Sequence, residues 1–162
     1  MKIRNLLTVA GAIAAVTTIG TSAAVSAAAG PGLKSFCTNT QAAVNAGYTV
    51  LFVPVGGLPF AGTSNDDVII GTGFRDDIDA LAGDDIVCSL GGNDDVRGGG
   101  GEDSIFGDDG RDDLRGQNGS DFLGGGAQND DLSGGNQADV LNGGGGTNTC
   151  SGGLGNDSLI NC

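Results

Sequence analysis

The chain has 162 residues, room for one domain, and carries 20 acidic side chains against seven basic ones, a formal charge of −13, with no histidine and no tryptophan. Such a balance repels nucleic acid and anionic lipid and attracts cations. Without histidine, and with every acid confined to a run of short repeats, the usual nucleophile–base and acid–base constellations cannot be assembled, so no enzyme is expected.

In chain order, Met1-Lys2-Ile3-Arg4-Asn5 is short and basic, residues 6–19 are apolar and uncharged, and small residues follow. Val25-Ser26-Ala27 and Ala27-Ala28-Ala29 are both cleavage contexts, so residues 1–29 read as a cleaved secretory signal peptide. The apolar run is too rich in Ala, Gly and Thr for the roughly 20 strongly apolar residues of a spanning helix. The expectation is a secreted, extracellular chain with no membrane span in its mature form. Four cysteines, Cys37, Cys88, Cys150 and Cys162, then read as two disulfides, because the secretory route is oxidising.

Residues 30–61 contain no acid and no repeat. Tyr48-Thr49-Val50-Leu51-Phe52-Val53-Pro54-Val55 is β-prone, and Gly56-Gly57-Leu58-Pro59-Phe60 reads as a turn followed by apolar residues. This stretch is read as an N-terminal cap.

From Gly62 to Ile160 the chain divides into eleven consecutive nine-residue units without an insertion, followed by a short end at 161–162. Position six runs Asp67, Asp76, Asp85, Asp94, Asp103, Asp112, Asp121, Asp130, Asp139, Asn148, Asp157. Position eight runs Ile69, Ile78, Val87, Val96, Ile105, Leu114, Leu123, Leu132, Leu141, Cys150, Leu159. The 20 acids of this stretch face only Arg75, Arg97, Arg111 and Arg115, leaving a net charge of −16. Paired acids such as Asp84-Asp85 and Asp112-Asp113 read as a loop ligand plus an outward neighbour rather than as a catalytic pair, which needs a concave pocket.

The pattern G-G-x-G-x-D-x-U-x, clearest in Gly98–Phe106 and Gly107–Arg115, resembles the repeats-in-toxin (hemolysin-type) calcium-binding nonapeptide. That resemblance implies an all-β, right-handed parallel β-roll, a two-sheet β-solenoid in which two nonapeptides make one turn. The first six residues of each unit would form a loop and the last three a strand. It also implies Ca2+ between stacked loops, held by the ten position-six aspartates and by backbone carbonyls. Calcium–oxygen distances of about 2.3–2.6 Å suit a rung spacing of about 4.7–4.9 Å. Stacked carboxylates without an ion repel by about 0.9 kcal/mol even in water. Six odd and five even loops enclose nine candidate gaps. Those at Asp103/Asp121 and Asp94/Asp112 are expected to bind tightest and that at Asp130/Asn148 weakly. Position four departs from Gly at Asn65, Phe74, Gln128 and Gln137, which singles out loops one, two, eight and nine as the doubtful ones. A Gly-rich chain with so narrow a core is expected to be unfolded without metal.

With two units per turn, odd and even units build opposite sheets. The even outer face carries Asp77, Asp95, Asp113 and Asp131 with Arg97 and Arg115, a solvated surface with cross-strand ion pairs. The odd outer face is apolar at its N-terminal half, with Val68, Ile70, Ile86, Cys88 and Phe106. Segment 48–60 is expected to lie against it. Three disulfide pairings are open; the place of Cys88 on this face favours Cys37–Cys88, leaving Cys150–Cys162. The reading is a secreted calcium-binding structural or interaction module, monomeric, with any cell-envelope or extracellular partner open. The alternatives are an adhesive or surface-binding (ice-binding-like) module acting through the odd face, and a disordered acidic calcium buffer. No regular Thr or Asn column supports the ice-binding form.

Overall fold

A computed structural model describes residues 35–162; the signal-peptide reading of 1–29 lies outside the described residues. Among the described residues two short helices, α1 (Ser35–Thr38) and α2 (Thr40–Ala46), precede thirteen strands. These are β1 (Thr49–Phe52), β2 (Phe60–Ala61), β3 (Asp67–Ile70), β4 (Asp77–Ala82), β5 (Ile86–Cys88), β6 (Asp95–Gly100) and β7 (Ser104–Asp109). They continue as β8 (Asp113–Asn118), β9 (Phe122–Ala127), β10 (Asp131–Asn136), β11 (Val140–Gly144), β12 (Thr149–Leu154) and β13 (Ser158–Ile160).

Odd strands form one sheet, β1-β3-β5-β7-β9-β11-β13, and even strands the other, β2-β4-β6-β8-β10-β12. Every pairing is parallel and joins positions two units apart, as in Val87↔Ile105 and Leu114↔Leu132. The fold is therefore an all-β two-sheet solenoid with a small helical cap. Side chains alternate along each strand, so position eight points inward. Ile69, Ile78, Val87, Val96, Ile105, Leu114, Leu123, Leu132 and Leu141 are all fully buried in one file between the sheets.

The strands are longer than the three residues expected. Most even strands, and β7 and β9 among the odd, run on through the first three residues of the next unit. The cause is the rung register itself. Loop residues also stack on their counterparts, and their backbones pair across rungs, as in Gly83 N–H to Gly100 C=O at 2.9 Å and Gly101 N–H to Asn118 C=O at 2.9 Å.

The N-terminal segment departs from expectation in one respect. β1 does not lie on the face of the odd sheet but extends its edge, with Thr49↔Asp67 and Leu51↔Ile69. Phe60↔Ile78 extends the even sheet by the same offset. Residues 49–61 are thus a rung without the repeat motif, which pairs the open strand edges and sends Leu51 and Val53 into the inner core. The odd face is instead covered by the helices. α2 starts at Asn39, whose side chain accepts the Ala42 N–H, and stops at Gly47 with φ 103°. Its Ala43 packs in one cluster with Tyr48, Val50, Val68, Ile70, Ile86, Cys88 and Phe106. Cys37 is joined to Cys88 with Cα atoms 6.1 Å apart, tying the cap to the sheet it covers. Cys150 is joined to Cys162 at the other end, Cα atoms 5.6 Å apart. On the even face Arg97 pairs with Asp77 and Asp95, and Arg115 with Asp95 and Asp113, all partly exposed and worth little each.

Candidate metal centres

The loops owe their shape to left-handed residues at positions two and four from unit three onward. Gly110 is the clearest case: its φ is 145°, and a Cβ there would fall on the Gly92 carbonyl oxygen of the rung below. Carbonyls of one loop therefore face the backbone of the next. Gln128 and Gln137 adopt the same conformation at φ 80° and 77° without being glycine. Loops eight and nine thus keep the shape, at a conformational cost.

The position-six carboxylates point into the roll's edges and stack. From Asp85 onward, Oδ1 accepts the backbone N–H of its counterpart one rung earlier: Asp85 from Asp67 at 2.8 Å, Asp103 from Asp85 at 2.9 Å, Asp121 from Asp103 at 2.9 Å, Asp112 from Asp94 at 3.0 Å. Asp94, Asp130, Asp139, Asn148 and Asp157 do the same. Oδ2 is different. In Asp85, Asp94, Asp103, Asp112, Asp121, Asp130 and Asp139 it is buried with no donor. In Asp103, Asp112, Asp121, Asp130 and Asp139 this oxygen lies over the glycine that opens its own unit, beside a carbonyl of the next rung. A Cβ on Gly107 would strike Asp112 Oδ2 and come within 2.6 Å of the Gly125 carbonyl oxygen. Gly125 and Gly134 repeat the arrangement with Asp130 and Asp139 and the carbonyls of Gly143 and Gly152.

An unpartnered buried carboxylate is costly, and its proton affinity rises accordingly. Burial, with the neighbouring acids adding to it, holds Asp103 at about 8, Asp85 and Asp121 at about 7, and Asp112 at about 6. Asp94, Asp130 and Asp139 are raised by the same cause.

The two ends are built otherwise. Asp67 Oδ2 accepts the Thr63 N–H at 2.7 Å and Asp76 Oδ2 that of Thr72 at 2.7 Å, with each threonine hydroxyl 3.1 Å from Oδ1. Asn148 takes the Asp130 N–H on Oδ1, then donates Nδ2–H to the Asn161 carbonyl at 3.0 Å. Asp157 stands half-exposed on the last rung. Position one is Ala80 in unit three and Ser89 in unit four; Ser89 Oγ donates to the Gly107 carbonyl at 3.0 Å. The gap at Asp94/Asp112 therefore carries a competing hydroxyl that the glycine at position four did not disclose. The repeat pattern alone does not reveal these threonine, serine and asparagine roles. Their only sequence signal is a departure from glycine or aspartate at positions one, two or six.

The free valences are hard oxygens, carboxylate and carbonyl, suited to a cation that takes 6–8 oxygen ligands. Among the described residues no three His, Cys, Asp or Glu side chains are grouped so that they could hold a metal ion by themselves. An ion here would therefore rely on main-chain carbonyls for much of its shell. A family model described as RTX calcium-binding nonapeptide repeat (4 copies) matches residues 61–96, 89–123 and 124–159, more than half of the chain. The chain belongs to the RTX calcium-binding nonapeptide repeat family. No curated protein and no solved structure matches the chain significantly. RTX repeats are structural rather than catalytic, and calcium binding by Asp-rich loops is the property of the family. Among the described residues no helix is long and apolar enough to cross a membrane.

Proposed function

We propose that this RTX chain is a secreted β-roll that folds on calcium, each ion bridging two loops stacked on successive turns, and that it serves as a structural or interaction module outside the cell. The observation that carries the reading is the row of buried Oδ2 atoms without donors along both edges of the roll. In Asp103, Asp112, Asp121, Asp130 and Asp139 that oxygen faces a carbonyl of the next rung, so two rungs present oxygens to one point. Ca2+, when bound, supplies the positive charge and the multiple oxygen bonds that those groups lack. The position-six aspartates hold adjacent rungs together through Oδ1 and offer Oδ2 to the ion. The glycines of positions one and four keep the cradle free of side chains. Export is supported by the signal-like residues 1–29 and by the two disulfides, which belong to an oxidising compartment.

The outer odd face is less available to an external partner than its apolar composition suggests. The helical cap packs in one cluster with Val68, Ile70 and Ile86, α1 lying against β3 and β5 and α2 against β1, which favours a structural role over adhesion through that stripe. A far-UV circular dichroism titration of the purified mature chain tests the proposal. β signal should rise with Ca2+, fall sharply on chelation, and respond poorly to Mg2+, which demands tighter octahedral geometry. A spectrum indifferent to chelation at neutral pH would refute it.

A further inference from the structure

Nine gaps separate stacked loops, but the structure does not treat them alike. Among the described residues the seven orphaned Oδ2 atoms begin at Asp85 and end at Asp139. Below them, Asp67 and Asp76 are as buried as the rest, yet both carboxylate oxygens are satisfied by Thr63 and Thr72 of their own loops. The backbone agrees. Position two and position four are left-handed in every unit from the third onward, but neither Thr63 and Asn65 nor Thr72 and Phe74 adopt positive φ. These two loops are folded differently: the Thr63 and Thr72 N–H groups turn inward onto the aspartate and occupy its Oδ2, although the Ala80 and Ser89 carbonyls of the next rung still lie beside it.

We infer that the gaps at Asp67/Asp85 and Asp76/Asp94 take no metal, and that the Thr63 and Thr72 donors do there what Ca2+ does in the seven gaps that follow. The inference rests on the calcium reading above for those seven. Two further features gather at the metal-free end. The helices and Cys37–Cys88 are fixed to it, and the outer apolar cluster of Val68, Ile70, Ile86 and Phe106 lies there. The first rungs thus have a second layer of burial and a covalent tie to the helical cap. The cap with its first rungs is then a calcium-independent base, and calcium governs only the rungs stacked on it.

The test counts ions on the full mature chain by native mass spectrometry at saturating calcium, beside hydrogen exchange in metal-free buffer at neutral pH. Seven ions are expected, with residues 49–70 protected and residues 95–160 exchanging fast in the absence of metal. Replacing the loop threonines and their position-four partners by glycine (T63G with N65G, T72G with F74G) restores the repeat pattern and should raise the count to nine. Nine ions on the parent chain, a count of seven unmoved by the glycine pairs, or equally fast exchange throughout would overturn the inference. No bound calcium at all would instead remove the reading on which it rests.

Discussion

Asn148 donates its side-chain amide to the carbonyl of Asn161 at 3.0 Å, at the point where the aspartates of earlier rungs leave an oxygen without a donor. One atom changed from oxygen to nitrogen closes the even edge of the roll with a hydrogen bond. Asn148→Asp keeps the acceptor for Asp130 but sets two oxygens face to face. The expected outcome is a loss of about 1–3 kcal/mol, read by urea unfolding in saturating calcium. Unchanged stability together with one additional bound ion would mean that this loop is a latent site.

Asp112 shows how the two carboxylate oxygens divide their work. Asp112→Asn retains Oδ1 for the Asp94 N–H and exchanges Oδ2 for a donor, so one calcium should be lost. Asp112→Ala removes the acceptor as well, leaving the buried Asp94 amide unpaired, and should disable the gaps on both sides. Native mass spectra of the two variants should differ by one ion; equal losses would contradict the division of roles.

Ser89 and Ala80 mark two gaps, Asp94/Asp112 and Asp85/Asp103, expected to hold calcium less well than those lined by glycine and two aspartates. The Ser89 hydroxyl occupies the Gly107 carbonyl, a bond worth about 0.5–1.5 kcal/mol that an ion must displace. Ser89→Gly should therefore tighten one weak phase of a calorimetric titration by roughly two- to tenfold. Ala80→Gly should act in the same direction by freeing the space beside Asp85. Weaker binding in either variant would show that these side chains assist the site.

The metal-free roll should depend on pH with a definite sign. Asp85, Asp103, Asp112 and Asp121 have folded-state values of about 7, 8, 6 and 7, above the ordinary carboxylate range near 4. Groups raised on folding contribute stability that is fully present below their unfolded value and is lost as pH climbs through the folded values. Metal-stripped protein should thus show more β signal at pH 5 than at pH 8, and calcium should restore the signal at pH 8 while releasing protons. Equal spectra at both pH values would mean that the carboxylates are not buried in the apo chain.

Cys37–Cys88 closes a loop of 51 residues, for which the chain-entropy argument gives about 4 kcal/mol as an upper figure. Replacing both cysteines by serine should lower stability by about 2–4 kcal/mol and uncover Val68, Ile70 and Ile86. Binding of a hydrophobic dye to the variant, absent in the parent, checks both parts at once.

The roll itself is legible because its signal is periodic. Asp at position six and an aliphatic at position eight, held in register from Asp67 to Leu141, define the rung, the core file and the two unlike faces. The helix over 40–46 escapes the pattern although Asn39 and Gly47 bracket it as caps. Its seven residues, with a single branched aliphatic, give too little amphipathic pattern to outweigh the β-prone run beside it. The unpatterned rung is hidden for another reason. Thr49 stands in the aspartate slot, and only the position of Leu51, one full turn before Ile69, betrays it. At the sites, sequence locates the carboxylates but not the donors that neutralise some of them, because a threonine N–H at 2.7 Å depends on loop conformation.

The alternation of strands between two unlike sheets gives this molecule a parity. Removing two adjacent units from the middle deletes one whole turn and leaves every survivor on its own side. Removing a single unit would transpose everything downstream, carrying the ladder of Asp113 and Asp131 onto the side that holds Val68 and Ile86, and Phe122 onto the side of Arg97. Aspartates of loops now facing each other would still match, since both edges use the same motif, but the outer surfaces would be patchworks. Changes in length are therefore tolerated in steps of a full turn, and the solenoid can grow or shrink only by an even number of its units.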